Sequence, residues 1–338
     1  MKAAVLTKKK VMEIKELPIP APLENEVIIN VKACGICGTD QHIYHGQPGS
    51  APVEYPIVLG HELSGEIVRL GEKVTKFKLG DRVSIDPNIY CGECEYCRKN
   101  RQHLCENLQA IGVTRDGGMG EFCAVPYSNC YIIPDGISFE EGAMIEPLGC
   151  VLHGFSQIKI WPGASVLIVG GGYIGLMMLQ MAKIYGAFPI VVSEPDKTKH
   201  QLAIQLGGDQ VITPEELSQN PIGFDIVIEC VGRKESMEQA VKMAKKGGNI
   251  LLFGVSKPDM KIEISPFDIF SKELTIKGSF INPHTHEQAI SLVQQGKIQI
   301  KPLLSHHFRL EDLPTIMNDY RKMNVKKGII RYSEKVFN

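Results

Sequence analysis

Cys91, Cys94, Cys97 and Cys105 crowd into one short segment with the spacing of a metal site. Two residues between successive cysteines let a single loop aim several thiolates at one point. A fourth thiolate closes a tetrahedron around a borderline-soft ion such as zinc. Four sulfurs leave no open position for substrate, so this loop reads as a structural staple and the chemistry must lie elsewhere. A second set is dispersed: Cys37 in CGICGTDQH, His61 and Glu62 in GHE, and Glu146 in EPLG. A thiolate, an imidazole and carboxylates are the ligand types of a catalytic zinc that keeps one position open. Spacing alone does not make these four converge.

A third constellation is VGGGYIG, in which Gly170, Gly172 and Gly175 form G-x-G-x-x-G, with Tyr173 and Ile174 leading into the helical run YIGLMMLQMAKIYG. The motif directly follows the apolar strand ASVLIVG. Glycines there permit a tight turn and a close backbone approach to a pyrophosphate, while the helix N-terminus supplies amide donors. Glu194, nineteen residues after Gly175, ends the next strand, FPIVVSEP. An acid in that place accepts the ribose hydroxyls of NAD and repels the extra phosphate of NADP. Strand, turn, helix and acid in order favour a dinucleotide site over a bare glycine-rich turn. Lys197 and Lys199 lie close enough in sequence to soften the preference for NAD.

Of the ten cysteines, Cys34, Cys123, Cys130, Cys150 and Cys230 have no ligand-like setting and read as small core residues. Cys34 and Cys37 form a C-x-x-C pair without the thioredoxin-like surroundings that a redox pair needs. His306 and His307 are neighbours on a strand, so they point to opposite faces and are poor co-ligands.

The elements that must position these residues fall into two textures. The first 150 residues are dense in glycine and proline, with short β-branched runs at Val27 to Val31, Gly65 to Arg69 and Arg82 to Ile85. From about Gly163 strands alternate with helices: Gln210 to Ile212, FDIVIEC, the helix SMEQAVKMAKK, GNILLFG and ELTIKGSFI. That is a doubly wound parallel sheet. After Asn282 come a helix in THEQAISLVQQGK, a short strand in PLLSHHF, a short helix from Glu311 to Arg321 and a terminal strand KGIIRY. This tail is too small for its own core and is expected to complete the first domain.

With 338 residues the chain suits two domains, and its 37 basic against 38 acidic side chains leave no global field for nucleic acid or anionic membrane. The start, MKAAVLTKKKVMEIKELPIP, lacks the apolar run of a secretory signal, and no stretch approaches a membrane span. A cytoplasmic enzyme for small molecules is expected, with no nucleic-acid or membrane partner.

Together, GICGTD, GHELSGEIVRLG, GDRV, the four-cysteine loop, DGGMGEF, the EPL segment and VGGGYIG resemble the zinc-containing medium-chain alcohol dehydrogenases. The likeness is greatest to their polyol and threonine dehydrogenase branch. It implies an α/β architecture: a GroES-like β-rich catalytic domain from residues 1–149 and 282–338, around a Rossmann domain at 150–281. It also implies two zinc ions per subunit, one structural and one catalytic. Cys37, His61 and Glu146 fall on the catalytic zinc positions, and in sorbitol-dehydrogenase-like members the residue matching Glu62 can ligate directly. Thr39 and His42 match the family's proton relay. The implied reaction is NAD-linked oxidation of a secondary alcohol, a polyol or sugar alcohol or its phosphate, with L-threonine and vicinal diols such as butanediol as rivals. A homotetramer or homodimer, joined near Leu274 to Ile281, is implied as well. A non-catalytic zinc- and nucleotide-binding relative would have no need of Cys37, His61 and Glu146 together.

Overall fold

Glycine-punctuated β-branched runs and the βα alternation fold into two units in the computed structural model, which describes residues 1–219 and 222–332. One unit comprises Met1–Gly149, Asn282–Gln295 and the chain from Leu303 onward; the other comprises Cys150–Ile281 and Gly296–Pro302. The last residues of the expected catalytic segment, 333–338, lie outside the described residues.

The first unit is built on a strand of eleven residues, Glu26–Ile36, buried along nearly its whole length. Glu62–Leu70 pairs antiparallel along one edge, and Phe122–Pro126 and Gly328–Arg331 also pair with it. Arg82–Ile85 and Cys130–Ile132 extend the sheet on one side, and His306–Phe308 on the other. The tail therefore inserts its last strand directly beside the first domain's central one, with Gly328 opposite Ile36 and Ile330 opposite Cys34. A three-stranded sheet of Lys2–Lys8, Val11–Glu16 and Ile57–Val58 shares the apolar core.

The second unit is a six-stranded parallel sheet. Its strands are β1 (Val166–Val169), β2 (Ile190–Ser193), β3 (Gln210–Ile212), β4 (Phe224–Glu229), β5 (Ala244–Leu252) and β6 (Thr275–Gly278). Their spatial order is 3-2-1-4-5-6, that of a doubly wound dinucleotide-binding sheet. β1 is buried on both faces, as near-continuous apolar strands of parallel sheets are. The helix expected through Lys246 runs from Lys234 to Lys242, and the chain is already strand at Ala244. An irregularity in the β4–β5 register lets Ala244 pair with Phe224 while Lys245 reaches Asp225, 3.1 Å away.

Residues 296–302 pack with the parallel sheet because of Gln180. This buried amide accepts the Gln299 N–H at 2.7 Å and donates to the Gln299 carbonyl at 3.2 Å, acting as a strand partner for that segment. No helix among the described residues is long and apolar enough to cross a membrane.

Candidate active site and cofactor loop

The strand Glu26–Ile36 ends at Cys37, which caps the helix Gly38–Tyr44. The Cys37 N–H donates to Asp40 Oδ2 at 2.8 Å, so the cysteine is held at the strand-to-helix turn. Glu62 opens the neighbouring strand and pairs with Gly35, and a β-carbon at Gly35 would overlap the Glu62 carboxylate. His61 precedes it. One ligand atom from each of Cys37, His61 and Glu62 lies within 4.8 Å of the other two. Glu146 does not join this group; it is buried in the first turn of the helix Ile145–Gln157.

Around these three, Asp40 is fully buried and presents Oδ1 to His61 Nδ1 at 3.4 Å. A carboxylate on one ring nitrogen fixes the imidazole for ligation through the other. Burial opposes a charge on His61, but Asp40 and then Cys37 outweigh it and hold its pKa well above the usual value. Lys327, also buried, pairs with Glu62 Oε2 and donates to the Ile36 carbonyl at 3.2 Å. Burial alone would lower its pKa; the charges of Glu62 and Cys37 raise it instead. The pocket thus stabilises positive charge. Asp40 Oδ1, His61 Nδ1 and Glu62 Oε2 are all buried, and beyond the Asp40–His61 and Glu62–Lys327 pairs no hydrogen bond satisfies them among the described residues, which fits a donor set made for a cation.

Thr39 and His42 lie three residues apart on the helix Gly38–Tyr44, hence on one face, and both are partly exposed. Asp40 and Lys327 were not singled out from the sequence. Asp40 had a signal, its place three residues after the capping Cys37; Lys327 had none, because only the tail strand brings it beside Ile36.

The four-cysteine loop folds as its spacing requires. Cys91 and Cys105 sulfurs are 3.5 Å apart, Cys91 and Cys97 3.9 Å, and Cys94 and Cys105 4.0 Å. Tetrahedral zinc with Zn–S of about 2.3 Å has an S–S edge of about 3.8 Å. Backbone N–H groups of Glu93 and Cys94 pull the Cys91 pKa down to about 6, and those of Cys97 and Glu106 lower that of Cys94. Burial pushes Cys97 up to about 12. The set fits a zinc ion and places it apart from Cys37.

Of the remaining histidines and cysteines, His307 faces Glu140 at 3.3 Å while His306 stacks on Phe308, as opposite strand faces require. Cys34, Cys123 and Cys130 are buried core residues. Cys150 and Cys230 are half-buried.

In the second unit Gly170 follows β1 with φ +104°, and a β-carbon at Gly175 would strike the Gly170 carbonyl, so helix and turn close tightly. Gly172 caps the helix Tyr173–Ile184, which Ile174 and Gly175 continue. Glu194 is buried just past β2; its Oε2 accepts the Gly171 N–H at 2.7 Å and its Oε1 the Asp196 N–H at 3.0 Å. Lys199 Nζ stands 3.5 Å from Glu194 Oε1. The acid is therefore fastened to the glycine loop itself, as a ribose acceptor would be.

Known proteins resemble this chain over most of its length. Residues 23–135 match the alcohol dehydrogenase GroES-like domain family, and residues 174–295 match the zinc-binding dehydrogenase family. Sorbitol dehydrogenase of Bacillus subtilis (strain 168) is 33% identical over 328 residues, 94% of this chain and 92% of that protein. L-threonine 3-dehydrogenase of Rhizobium etli (strain CIAT 652) is 34% identical over 342 residues, 98% of each. A candidate zinc-binding dehydrogenase of Sinorhizobium meliloti 1021, solved bound to NADP, superposes with a TM-score of 0.93 at 37% identity, covering 98% of this chain and 99% of that one. With a GroES-like unit carrying the cation-shaped pocket, a Rossmann unit carrying the glycine loop, and relatives along its whole length, the chain belongs to the zinc-containing medium-chain dehydrogenases. Within them it is an NAD(P)-linked alcohol or polyol dehydrogenase of the polyol and threonine branch.

Proposed function

We propose that the chain oxidises a secondary alcohol of a polyol, a sugar alcohol or its phosphate, with NAD as hydride acceptor. The donor set Cys37, His61 and Glu62 carries this reading. A hard carboxylate in place of a second thiolate leaves a bound zinc more electrophilic, which suits a substrate with adjacent hydroxyls. Those three residues would hold the catalytic zinc, with Glu146 supporting it, and Cys91, Cys94, Cys97 and Cys105 would hold the structural one.

A zinc held by Cys37, His61 and Glu62 would supply Lewis-acid polarisation of the alcohol oxygen, and NAD held at the glycine loop would supply the hydride-accepting ring. The chain's own groups handle the proton. The Thr39 hydroxyl accepts it from the alcohol and releases its own proton towards His42, on the same helix face, which hands one to water; an imidazole suits such a shuttle. Asp40 holds the His61 ring and the Cys37 backbone in place. Gly170, Gly172, Tyr173, Ile174 and Gly175 shape the pyrophosphate turn, and Glu194 takes the ribose hydroxyls. A carboxylate in that position repels the extra phosphate of NADP and so favours NAD, while Lys199 offsets part of the charge.

Absorbance of reduced cofactor, with sorbitol, arabitol, their phosphates, L-threonine and butanediol in parallel, tests the substrate. Oxidation of a polyol is the expected result. Turnover of threonine alone overturns it in favour of the threonine relative's activity, and butanediol alone in favour of a vicinal diol. For assembly, we propose a homodimer or homotetramer joined through β6, which among the described residues pairs only with β5 and so leaves one edge open. Phe267 and Phe270, in the helix Pro266–Lys272 that precedes β6, are 71% and 78% exposed, more than isolated surface aromatics need be.

A further inference from the structure

We propose that Glu229 is a positioning residue for the nicotinamide half of the cofactor site, an inference that rests on the NAD(P)-linked reading above. In a sheet of order 3-2-1-4-5-6, β1 to β3 make one mononucleotide-binding half and β4 to β6 the other, and ligands lie outside the carboxyl ends of the strands. Gly170 and Glu194 belong to the first half, which takes the adenosine side. The turns after β4 and β5 therefore face the nicotinamide side.

Glu229 is the last residue of β4, level with Val169 of β1 and Leu252 of β5. It has no solvent exposure at all. A carboxylate taken out of water is costly unless donors converge on it, and here they do. Its Oε1 accepts the Val231 N–H at 2.8 Å, the Gly232 N–H at 2.9 Å and the Ser236 hydroxyl at 2.7 Å. Its backbone carbonyl accepts the Phe253 and Gly254 N–H groups, both at 2.9 Å. One residue thus ties together the turn after β4, the first turn of the helix Lys234–Lys242 and the turn after β5.

The two turns interlock without side chains between them. Gly232 has φ +77°, and a β-carbon on it would stand 2.5 Å from the Val255 carbonyl oxygen. A β-carbon on Gly254 would stand 2.7 Å from Glu229 Oε2, an oxygen with no hydrogen-bond partner among the described residues. Val231, 41% exposed, reaches towards Gly170, so the turn that Glu229 fixes borders the fingerprint loop. Loosening it should disturb the far half of the dinucleotide and leave the adenosine half, held by Glu194 and the glycine loop, as it is.

Glu229→Ala removes all three side-chain bonds, and Glu229→Gln retains a carbonyl oxygen that can accept them. In the zinc-loaded enzyme with its preferred cofactor, Glu229→Ala should raise the cofactor KM about tenfold and lower kcat. Competitive inhibition by adenosine monophosphate should stay within about twofold, since three hydrogen bonds near the other half do not touch it. Glu229→Gln should recover most of the loss. If Glu229→Ala does not fold, Ser236→Ala decides: a KM rise of about threefold, again with unchanged inhibition by adenosine monophosphate, supports the proposal. Equal weakening of cofactor and adenosine monophosphate, or a lowered melting temperature with unchanged kinetics, overturns it. Wild-type protein that neither reduces NAD(P) with any alcohol nor binds adenosine monophosphate defeats the dehydrogenase reading itself, a result distinct from either.

Discussion

At the scale of single residues, the two cysteine-containing donor sets make opposite predictions. Cys37→Ser and Glu62→Gln remove a donor from the pocket that Asp40 and Lys327 surround. Metal analysis should show zinc falling from two ions per chain towards one, with turnover down by more than about a hundredfold and the melting temperature little changed. Cys97→Ser breaks the sulfur cluster instead, and should lower stability by several kcal/mol while the folded, zinc-loaded fraction keeps its turnover. Full stability with selectively lost turnover in Cys97→Ser would mean that the two metals have been assigned the wrong way round. Glu194→Gln tests the cofactor: the ratio of kcat/KM for NADP to that for NAD should rise about tenfold or more, because the repelling carboxylate goes while Lys199 stays. An unchanged ratio would show that Glu194 does not choose between them.

At the scale of elements, the helix His286–Gln294 begins on a histidine with no solvent exposure, its Nε2 3.3 Å from Ser84 Oγ and its ring 4.8 Å from that of Tyr131. Burial pulls its pKa down to about 3. A folded-state pKa below the unfolded one means that this group's contribution is complete above about pH 6.5 and is lost as pH falls towards 3. Asp86 works the other way: burial pushes it up to about 6, so its contribution is present in acid and lost as pH rises through that value. His286→Phe should therefore flatten the acid limb of stability against pH, an effect on the order of 5 kcal/mol at its full extent. Denaturant midpoints between pH 4 and 7 that fall in parallel for wild type and variant would refute it.

At the scale of the whole molecule, the open β6 edge and the exposed Phe267 and Phe270 bear on assembly. Phe270→Asp should convert the assembly to a 37.4 kDa monomer in light scattering, with the alcohol panel unchanged in pattern. A wild-type protein already monomeric would refute the edge-to-edge reading.

Local chemistry determined much of this protein from sequence alone. The four cysteines, the glycine turn with its following acid, and the alternation of strands with helices are short-range patterns whose spacing already carries the geometry. The turn at Gly170, the alternation of β1 to β6 with helices and the sulfur cluster follow from such patterns. Other features required the fold, because they depend on strands far apart in the chain lying side by side. Cys37, His61 and Glu62 meet only because Glu26–Ile36 pairs with Glu62–Leu70, and Glu146, which the family pattern placed among them, is not in that group. Lys327 reaches Glu62 only because a strand near residue 330 pairs with Cys34 to Ile36. Glu229 closes the apolar run FDIVIEC in sequence, and only the fold brings the turns after β4 and β5 together on it. Residues that act through long-range pairing leave no periodicity or spacing in the sequence, and only the tertiary structure shows which carboxylates share a site.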